Sequence, residues 1–311
     1  MKILFIDSTH PILKQKFEQA GWQCDYIPDL TYEKVLSIIH QYDGVIIRSK
    51  IKLDKTILSS AKNLKFIGRV GAGMESIDTE IAQALGIVCF NSPEGNRDAV
   101  GEHAIGMLLA LFNKLCIANI QVKQGIWKRE ENRGIEIKGK TIGIIGYGNM
   151  GSSFAHKLKG FEVNIVAYDK YKSHFGNEWV KEVRLNELQQ QSDIISIHVP
   201  LTSETYYMIN QDFIDNCAKP FYLINTARGP VVKTIDLIHS IEKDKILGAA
   251  LDVIEYEEHS FEKLMQFPNE FYRLASFENV LLSPHIAGWT HESKIKLAEI
   301  LAYKILKHFI H

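Results

Sequence analysis

The chain has 311 residues, of which 46% are hydrophobic and 23% are charged, and its formal net charge is −1. This composition is ordinary for a globular protein, and the length allows two domains with separate cores. The sequence has no block of basic residues, so we expect neither a nucleic-acid partner nor an anionic membrane surface.

The first ninety residues alternate short apolar runs with amphipathic stretches. Pro11 suits the first turn of a helix, and Gly21 and Gly86 suit helix C-termini. The pattern predicts strands at 2–7, 24–27, 44–48, 65–70 and 88–91, and helices at 12–20, 33–40, 55–61 and 79–85. Such alternation is typical of a doubly wound parallel sheet.

The next stretch, from Ala99 to Ala118, is strongly apolar but is interrupted by polar residues such as Glu102 and His103. These interruptions favour a single buried or interface helix over a membrane span. The apolar run at the N-terminus is too short for a signal peptide and is predicted to be a strand.

A second alternating series follows this helix. The pattern predicts six strands, at 141–146, 164–169, 193–198, 222–225, 247–252 and 279–283. The helices between and after them are predicted at 150–159, 186–191, 212–217, 234–243 and 291–310. We therefore expect a second sheet of six strands.

A glycine pattern lies at the end of the first strand in this second series. Gly146-x-Gly148-x-x-Gly151 follows a buried strand, opens a helix, and precedes Asp169 at the end of the next strand. This arrangement is the dinucleotide-binding fingerprint, in which a pyrophosphate lies at the helix N-terminus. Asp169 would accept hydrogen bonds from the ribose hydroxyls and favour NAD over NADP. The nearby Lys170 and Lys172 leave some NADP use open, and a purely local glycine turn is the alternative.

Three further polar groups follow predicted strands, where parallel sheets bind their ligands. Arg228 follows the strand at 222–225, Asp252 ends the strand at 247–252, and His285 follows the strand at 279–283. Arginine holds carboxylates in bidentate fashion, and histidine exchanges protons near neutral pH. A hydride-transfer site is one interpretation, and surface turn residues are the other. The carboxylate partner of the histidine is left open among Glu255, Glu257 and Glu258.

The cysteines and the remaining histidines indicate no further chemistry. The four cysteines are scattered without a CxxC pair, as expected for reduced thiols of a cytoplasmic protein. The histidines show no ligand spacing, so we expect no metal.

Several segments together resemble the NAD-dependent D-2-hydroxyacid dehydrogenase family. The resemblance covers essentially the whole chain and is closest to 3-phosphoglycerate dehydrogenases. It is carried, in order, by VGAGMESID from Val70, NSPEGNRDAVGEH from Asn91, the glycine fingerprint, HVPLT from His198, NTARG from Asn225, ALDV from Ala250 and SPHIAG from Ser283.

The resemblance implies a fold and a set of site residues. The fold is α/β, with a Rossmann NAD-binding domain (96–285) inserted into a flavodoxin-like substrate-binding domain (1–95 and 286–311). The implied catalytic residues are Arg228, Glu257 and His285. The implied NAD-binding residues are Gly146, Tyr147, Gly148, Asn149, Met150, Gly151, Asp169, His198, Val199, Pro200, Thr205, Thr226, Ala227, Arg228, Asp252, His285 and Gly288. The implied substrate-binding residues are Arg48, Ser49, Arg69, Gly71, Ala72, Gly73, Arg228 and His285.

The identity of the hydroxy acid depends on two arginines. Arg48 ends one predicted strand and Arg69 precedes the Gly71 loop, and both resemble the phosphate-binding arginines of 3-phosphoglycerate dehydrogenases. We therefore expect 3-phosphoglycerate, the substrate of serine biosynthesis. Glyoxylate, hydroxypyruvate or another 2-hydroxy or 2-oxo acid is the alternative, with the arginines stabilising the loop through carboxylates such as Glu75.

The resemblance also has implications for oligomeric state and for an alternative, non-enzymatic function. It implies a homodimer through the region from Ala99 to Ala118, and no regulatory serine-binding domain after the last helix. Some relatives of this fold are NAD-sensing corepressors, so a binding protein is the second hypothesis. A KM near a plausible metabolite level would distinguish the enzyme from the corepressor.

Overall fold

The structure is a computed structural model that describes residues 1–257 and 268–310. Within these residues the chain forms two compact units. The first unit contains residues 1–97 and 289–310, and the second contains residues 98–257 and 268–288. The predicted assignment of residues 1–95 and 286–311 to substrate binding, and of 96–285 to NAD binding, stays a prediction.

The described residues form the following regular elements. The strands are β1 (Lys2–Phe5), β2 (Gln23–Tyr26), β3 (Gly44–Ile47), β4 (Phe66–Arg69), β5 (Val88–Asn91), β6 (Thr141–Ile145), β7 (Asn164–Tyr168), β8 (Val180–Glu182), β9 (Ile194–Ile197), β10 (Phe221–Asn225), β11 (Ile246–Leu251) and β12 (Val280–Leu282). The helices are α1 (Pro11–Gln19), α2 (Tyr32–Ile38), α3 (Lys55–Ser60), α4 (Thr79–Ala84), α5 (Arg97–Phe112), α6 (Leu115–Lys123), α7 (Asn149–Lys157), α8 (Leu185–Gln191), α9 (Gln211–Asp215), α10 (Thr234–Glu242), α11 (Asn269–Ala275) and α12 (His291–Ile310).

The first unit contains a parallel five-stranded sheet. Its strand order is β2-β1-β3-β4-β5, the flavodoxin-like order of doubly wound sheets. One face packs on α1 and α12, where Phe17 and Leu301 are fully buried, and the other buries Val35 and Ile57 of α2 and α3. Because both faces are covered, the inner strands β1 and β3 are nearly continuous buried apolar runs, whereas the edge strand β2 is partly polar and exposed.

The second unit contains a parallel seven-stranded sheet. Its order, β12-β11-β10-β9-β6-β7-β8, is the Rossmann order 3-2-1-4-5-6 with a seventh strand added beside the sixth. Neighbouring residues of one strand enter cores on opposite faces, as Ile144 and Ile145 of β6 do. The predicted fold class, two doubly wound parallel-sheet domains, is confirmed.

The structure corrects two predictions of elements and adds the helix α11 (Asn269–Ala275), which the sequence pattern did not predict. The second sheet has seven strands instead of six. The strand missed by the prediction is β8, which has only three residues and a single buried one, Val180, followed by the charged Lys181 and Glu182. The predicted helix from Ala99 to Ala118 is two helices, α5 and α6, which meet at 61°. The break lies at Lys114, whose φ of 50° is left-handed and cannot continue a right-handed helix.

No single helix among the described residues is both long and apolar enough to cross a membrane. The bent pair α5 and α6 meets that criterion together, by length and composition only.

Candidate active site

The predicted nucleotide and catalytic groups of the second unit lie along one edge of its sheet. Ile145, Ile197, Asn225, Leu251 and Leu282 form a continuous row of paired residues across five neighbouring parallel strands. The residues that follow this row therefore leave the carboxyl edge side by side, at the strand spacing of about 5 Å. Ligands of open α/β sheets bind at this edge.

Two glycines of the fingerprint are required by the protein's own packing. Gly146 has φ of +91°, and a Cβ there would lie 2.5 Å from the carbonyl oxygen of His198. A Cβ on Gly151 would lie 2.0 Å from the carbonyl oxygen of Gly146, so only glycine lets α7 pack this close to the strand. By contrast, a Cβ on Gly148 would meet no protein atom within 4 Å. The protein alone therefore gives no steric reason for a glycine at position 148.

The start of α7 is suited to an anion. The first bond that involves the helix cap runs from Ser152 N–H to the Gly148 carbonyl, at 3.1 Å. The amides of Asn149, Met150 and Gly151 precede it and have no partner within the helix. Together with the helix dipole, they favour a negative group at this point.

Asp169 organises the turn around the adenosine end of the predicted site. Its carboxylate accepts N–H groups from Tyr147 at 2.8 Å, Tyr171 at 2.9 Å and Lys172 at 3.0 Å. A carboxylate has about four acceptor positions, so one stays available for a ribose hydroxyl. The Tyr147 ring stacks on Phe175, with 4.5 Å between ring centroids.

The two lysines that left NADP use open have partners in the structure. Lys170 forms an ion pair with Glu204 at 2.7 Å, and Glu204 also accepts the hydroxyl of Tyr171 at 2.5 Å. Lys172 donates to the carbonyl of Tyr147 at 3.3 Å.

The loop after β9 contributes backbone and packing. The His198 ring is buried, its Nε2 lies 2.8 Å from Ser196 Oγ, and burial lowers the pKa of His198 to about 3. Thr205 donates to the Pro200 carbonyl at 2.6 Å and so closes the turn. Val199 lies against Gly146, since its Cγ1 would be 2.9 Å from a Cβ placed there.

The turn after β10 carries Thr226, Ala227 and Arg228. Thr226 Oγ1 is buried without a hydrogen-bond partner among the described residues. The Arg228 guanidinium donates to the Ala227 carbonyl at 2.6 Å. A Cβ on Gly229 would lie 1.9 Å from the carbonyl oxygen of Ile254, so this glycine lets the arginine turn approach the segment after β11.

Of the three candidate glutamates, the structure brings Glu257 to His285. The Nδ1 of His285 lies 2.6 Å from one Glu257 carboxylate oxygen, and the other oxygen accepts the N–H of Ile254 at 2.6 Å. Glu255 instead accepts the hydroxyl of Tyr207 and the N–H of Thr234. Glu258 lies outside the described residues.

Asp252 is buried beneath the His285 turn. Its carboxylate accepts the Ser283 hydroxyl at 2.6 Å and the N–H groups of Ile286 at 2.9 Å and Ala287 at 2.8 Å. Burial alone would raise the pKa of Asp252, but hydrogen bonds from His103, Ser283 and these amides outweigh it and lower the pKa. The side chain has no exposed surface. The implied roles of Asp252 and Gly288 in NAD binding stay predictions.

In the first unit, Arg48 leaves the carboxyl end of β3. Its N–H donates to the buried Asp7 carboxylate at 2.5 Å, and its guanidinium lies 4.8 Å from the centre of the Trp289 ring. Burial raises the pKa of Asp7, partly offset by the N–H groups of Arg48 and Lys50. Ser49 lies between those two amides.

The predicted carboxylate-binding loop follows β4. The Gly71 carbonyl accepts the N–H of Ser92 at 2.9 Å, and the Ala72 carbonyl accepts the side chain of Asn91 at 2.6 Å. Because a trans peptide directs its N–H opposite to its carbonyl, the amides of Ala72 and Gly73 point away from β5. Gly71 has φ of +150°, and a Cβ there would lie 1.4 Å from the Arg69 Nη1, so that guanidinium folds against the loop.

The second unit fits a dinucleotide by three observations on its own residues. The helix amides of α7 lack partners within the helix, Gly148 has no steric need to be glycine, and the buried Thr226 hydroxyl has no described partner. All three lie at the carboxyl edge. No group of three or more potential ligands for a metal ion occurs in residues 1–257 or 268–310.

Sequence reasoning did not identify three residues that support these sites. They are His103 beside Asp252, Glu204 beside Lys170, and Trp289 beside Arg48. Only His103 had a signal, as a polar residue within an apolar helix. The other two lie in polar segments, where no pattern distinguishes them.

The sequence is similar to those of known 2-hydroxyacid dehydrogenases. The sequence profile described as "D-isomer specific 2-hydroxyacid dehydrogenase, NAD binding domain" matches residues 105–287. The chain is 34% identical to the D-3-phosphoglycerate dehydrogenase of Archaeoglobus fulgidus over 98% of its own length and 57% of that protein. It is 36% identical to the glyoxylate reductase of Thermofilum pendens, over 88% of the chain and 80% of the relative.

A solved structure agrees over nearly the whole length of both chains. The D-lactate dehydrogenase of Aquifex aeolicus, complexed with NAD and lactic acid, superposes with a TM-score of 0.84 at 28% identity. The alignment covers 100% of this chain and 95% of that one. The chain spans little more than half the length of the phosphoglycerate dehydrogenases that it matches.

Proposed function

Because the chain belongs to the D-isomer specific 2-hydroxyacid dehydrogenase family, we propose that it interconverts a 2-hydroxy acid and its 2-oxo acid with NAD. The observation that carries the proposal is the His285–Glu257 pair, with 2.6 Å between His285 Nδ1 and a Glu257 oxygen. It lies on the same sheet edge as the glycine fingerprint. Bound NAD supplies the acceptor or donor of the hydride.

His285 is the proposed acid and base. With Nδ1 donating its proton to Glu257, the neutral ring carries its basic electron pair on Nε2, the nitrogen proposed to take the hydroxyl proton of the substrate. In the opposite direction the protonated ring returns it. Glu257 fixes this tautomer and stabilises the positive charge that the ring acquires, as the carboxylate of a catalytic triad does.

Arg228 is proposed to bind the substrate carboxylate and the reacting oxygen. Its planar guanidinium can donate two parallel hydrogen bonds to such a pair of oxygens. The contact with the Ala227 carbonyl restrains the side chain, so less conformational freedom is lost on binding. In the first unit, the amides of Ala72 and Gly73 are the proposed hydrogen-bond donors to a substrate carboxylate.

We propose 3-phosphoglycerate as the substrate, with Arg48 and Arg69 binding its phosphate. Both arginines belong to the carboxyl edge of the first sheet, where Ile47 pairs with Arg69. The alternative substrate is glyoxylate or hydroxypyruvate, which the relative named glyoxylate reductase favours because the chain spans 80% of its length.

The first experiment is a panel of 2-oxo acids with NADH, followed by absorbance at 340 nm. We expect kcat/KM for 3-phosphohydroxypyruvate to exceed that for glyoxylate, hydroxypyruvate, pyruvate and 2-oxoglutarate by at least about tenfold. A preference for an unphosphorylated acid would keep the chemistry and remove the phosphate role. A wild-type protein that binds NADH but turns over none of the panel would favour the NAD-sensing binding protein.

A double variant tests the phosphate role directly. Arg48→Ala with Arg69→Ala should raise KM for the phosphorylated acid at least about 100-fold, since each charged hydrogen bond contributes roughly 1.5–3 kcal/mol. The dissociation constant for NADH should not change. Lys50→Ala is the matched control, because the Lys50 ammonium is directed to the Pro28 carbonyl and Asp29. An equal KM increase in Lys50→Ala would mean that the effect comes from the lost positive charge alone, and not from phosphate binding by Arg48 and Arg69.

We further propose a homodimer in the cytoplasm, formed through α5, α6 and the following turn. The α6 helix buries none of its residues, and Leu115, Ile120, Val122 and Trp127 are exposed, Trp127 at 76%. Such a group of exposed apolar side chains is typical of an interface. Sedimentation should give about twice the mass of 35.4 kDa, and Ile120→Asp with Val122→Asp should give the monomer. A wild-type monomer at micromolar concentration would refute the dimer.

A further inference from the structure

His103 contacts the support of the proposed acid–base residue from a distant part of the chain. It lies in α5, and its Nε2 is 3.2 Å from Ser283 Oγ, although the two residues are 180 positions apart. The same nitrogen is 3.4 Å from Asp252 Oδ1. The three side chains form one connected polar group in the second unit.

The hydrogen positions in this group follow from its donors and acceptors. Ser283 has a single hydroxyl proton, and its 2.6 Å contact with the Asp252 carboxylate uses it. Only lone pairs of the Ser283 oxygen then face His103, so His103 Nε2 must carry a proton and donate it. The histidine thus holds the hydroxyl in the orientation that serves Asp252.

Asp252 in turn fixes the backbone that carries His285. It accepts the N–H groups of Ile286 and Ala287 with its side chain, and that of His285 with its carbonyl at 2.7 Å. His285 has φ of +55°, a left-handed conformation that is unfavourable for a residue with a side chain. Such a conformation persists only where the surrounding contacts determine it.

We propose that His103 is a positioning residue for His285, acting through Ser283 and Asp252. Its N–H completes the set of donors around the Ser283–Asp252 pair. That pair holds the left-handed turn in the geometry that presents the imidazole to the substrate. The inference rests on the proposed dehydrogenase function for its kinetic consequence, and on the contacts alone for its structural one.

The test compares three single variants of the full chain. His103→Leu removes the donor, and His103→Gln retains an N–H group at nearly the same place. His239→Leu is the matched control, because His239 is an exposed histidine near the end of α10. Each variant is assayed for kcat and KM with NADH and 3-phosphohydroxypyruvate or glyoxylate, and for the NADH dissociation constant by fluorescence.

We expect His103→Leu to lower kcat about tenfold, since a small misplacement of a reacting group is costly. KM for the oxo acid and the NADH dissociation constant should stay within twofold. His103→Gln should recover kcat to within threefold of wild type, and His239→Leu should match wild type. A His103→Leu variant with wild-type kcat, or no recovery in His103→Gln, would overturn the proposal.

A spectroscopic readout separates this inference from the proposed function. If the wild-type protein turns over no oxo acid, the function fails, and nitrogen-15 NMR of the imidazole rings decides the positioning role by itself. His103 should be observed with its proton on Nε2, and the His285 resonances should shift in His103→Leu but not in His239→Leu. Unchanged His285 resonances in His103→Leu would contradict the coupling.

Discussion

Replacing Glu257 with glutamine tests the acid–base pair by changing its hydrogens with little change in shape. One carboxylate oxygen accepts the Ile254 N–H at 2.6 Å and the other faces His285 Nδ1 at 2.6 Å. If the glutamine oxygen keeps the backbone bond, its NH2 group faces His285 Nδ1. The imidazole must then carry its proton on Nε2, the atom that should receive the substrate proton.

The magnitude follows from the two hydrogen bonds. Restoring the productive tautomer requires the amide to turn and lose the backbone bond, at about 1 kcal/mol for a neutral hydrogen bond. Loss of the charge-assisted contact to the histidine removes roughly another 1.5–3 kcal/mol. Together these predict a decrease in kcat of about 100-fold to 1000-fold for Glu257→Gln.

The assay is NADH oxidation at saturating oxo acid, with NADH binding by fluorescence as a check that the variant is folded. Glu255→Gln is the matched control, because Glu255 contacts Tyr207 and Thr234 and makes no described contact with His285. It should lower the melting temperature but keep kcat within about threefold. A Glu257→Gln variant with kcat within threefold of wild type would refute the assignment of Glu257.

Further predictions concern the cofactor site and the core beneath it. Gly151→Ala should weaken both folding and NADH binding, since its Cβ would lie 2.0 Å from a carbonyl oxygen. Gly148→Ala should weaken NADH binding by at least about tenfold, while its melting temperature stays unchanged. Calorimetric titration with thermal melts checks both, and undiminished NADH affinity in Gly148→Ala would argue against the pyrophosphate at this loop. Glu204→Gln should release Lys170 and raise kcat/KM for NADPH relative to NADH about threefold, a small effect because the pair is exposed; an unchanged ratio would exclude this role. The pKa of His198 falls from 6.5 to about 3 on folding, so the unfolded chain binds the extra proton and stability decreases as pH falls below about 6.5. Between pH 7 and pH 5 this group should lower the free energy of unfolding by about 2 kcal/mol. Urea unfolding of wild type and His198→Asn at both pH values measures the effect, and equal losses in both proteins would contradict it.

The regular elements were largely predictable from local patterns. The ten strands and helices of the first unit, β1–β5, α1–α4 and α12, follow alternations of apolar runs and turn-forming residues that need no tertiary information. The exceptions are β8, the unpredicted helix α11 and the break between α5 and α6. A three-residue strand with one buried side chain, and a single left-handed lysine, carry too little local signal to be distinguished from their neighbours.

The sites divide in the same way. The glycine fingerprint could be predicted from the sequence because the close contacts that require glycine at Gly146 and Gly151 lie mostly within one short unit of strand, turn and helix. The choice of Glu257 among three closely spaced glutamates came only from family resemblance, because spacing alone does not determine which carboxylate turns toward His285. The ion pair of Lys170 with Glu204 joins two exposed polar segments that no pattern connects.

By itself, then, the sequence determined the two parallel sheets, the nucleotide turn and the strand ends at which the chemistry must lie. Periodicity and glycine placement are local properties, and local energetics suffice to express them. Only the tertiary structure decided that His103 supports Ser283 across 180 residues, that Asp252 is buried beneath the His285 turn, and that Glu255 faces away. These contacts depend on register and packing between elements distant in the chain, and side-chain direction at a sheet edge is determined by those neighbours.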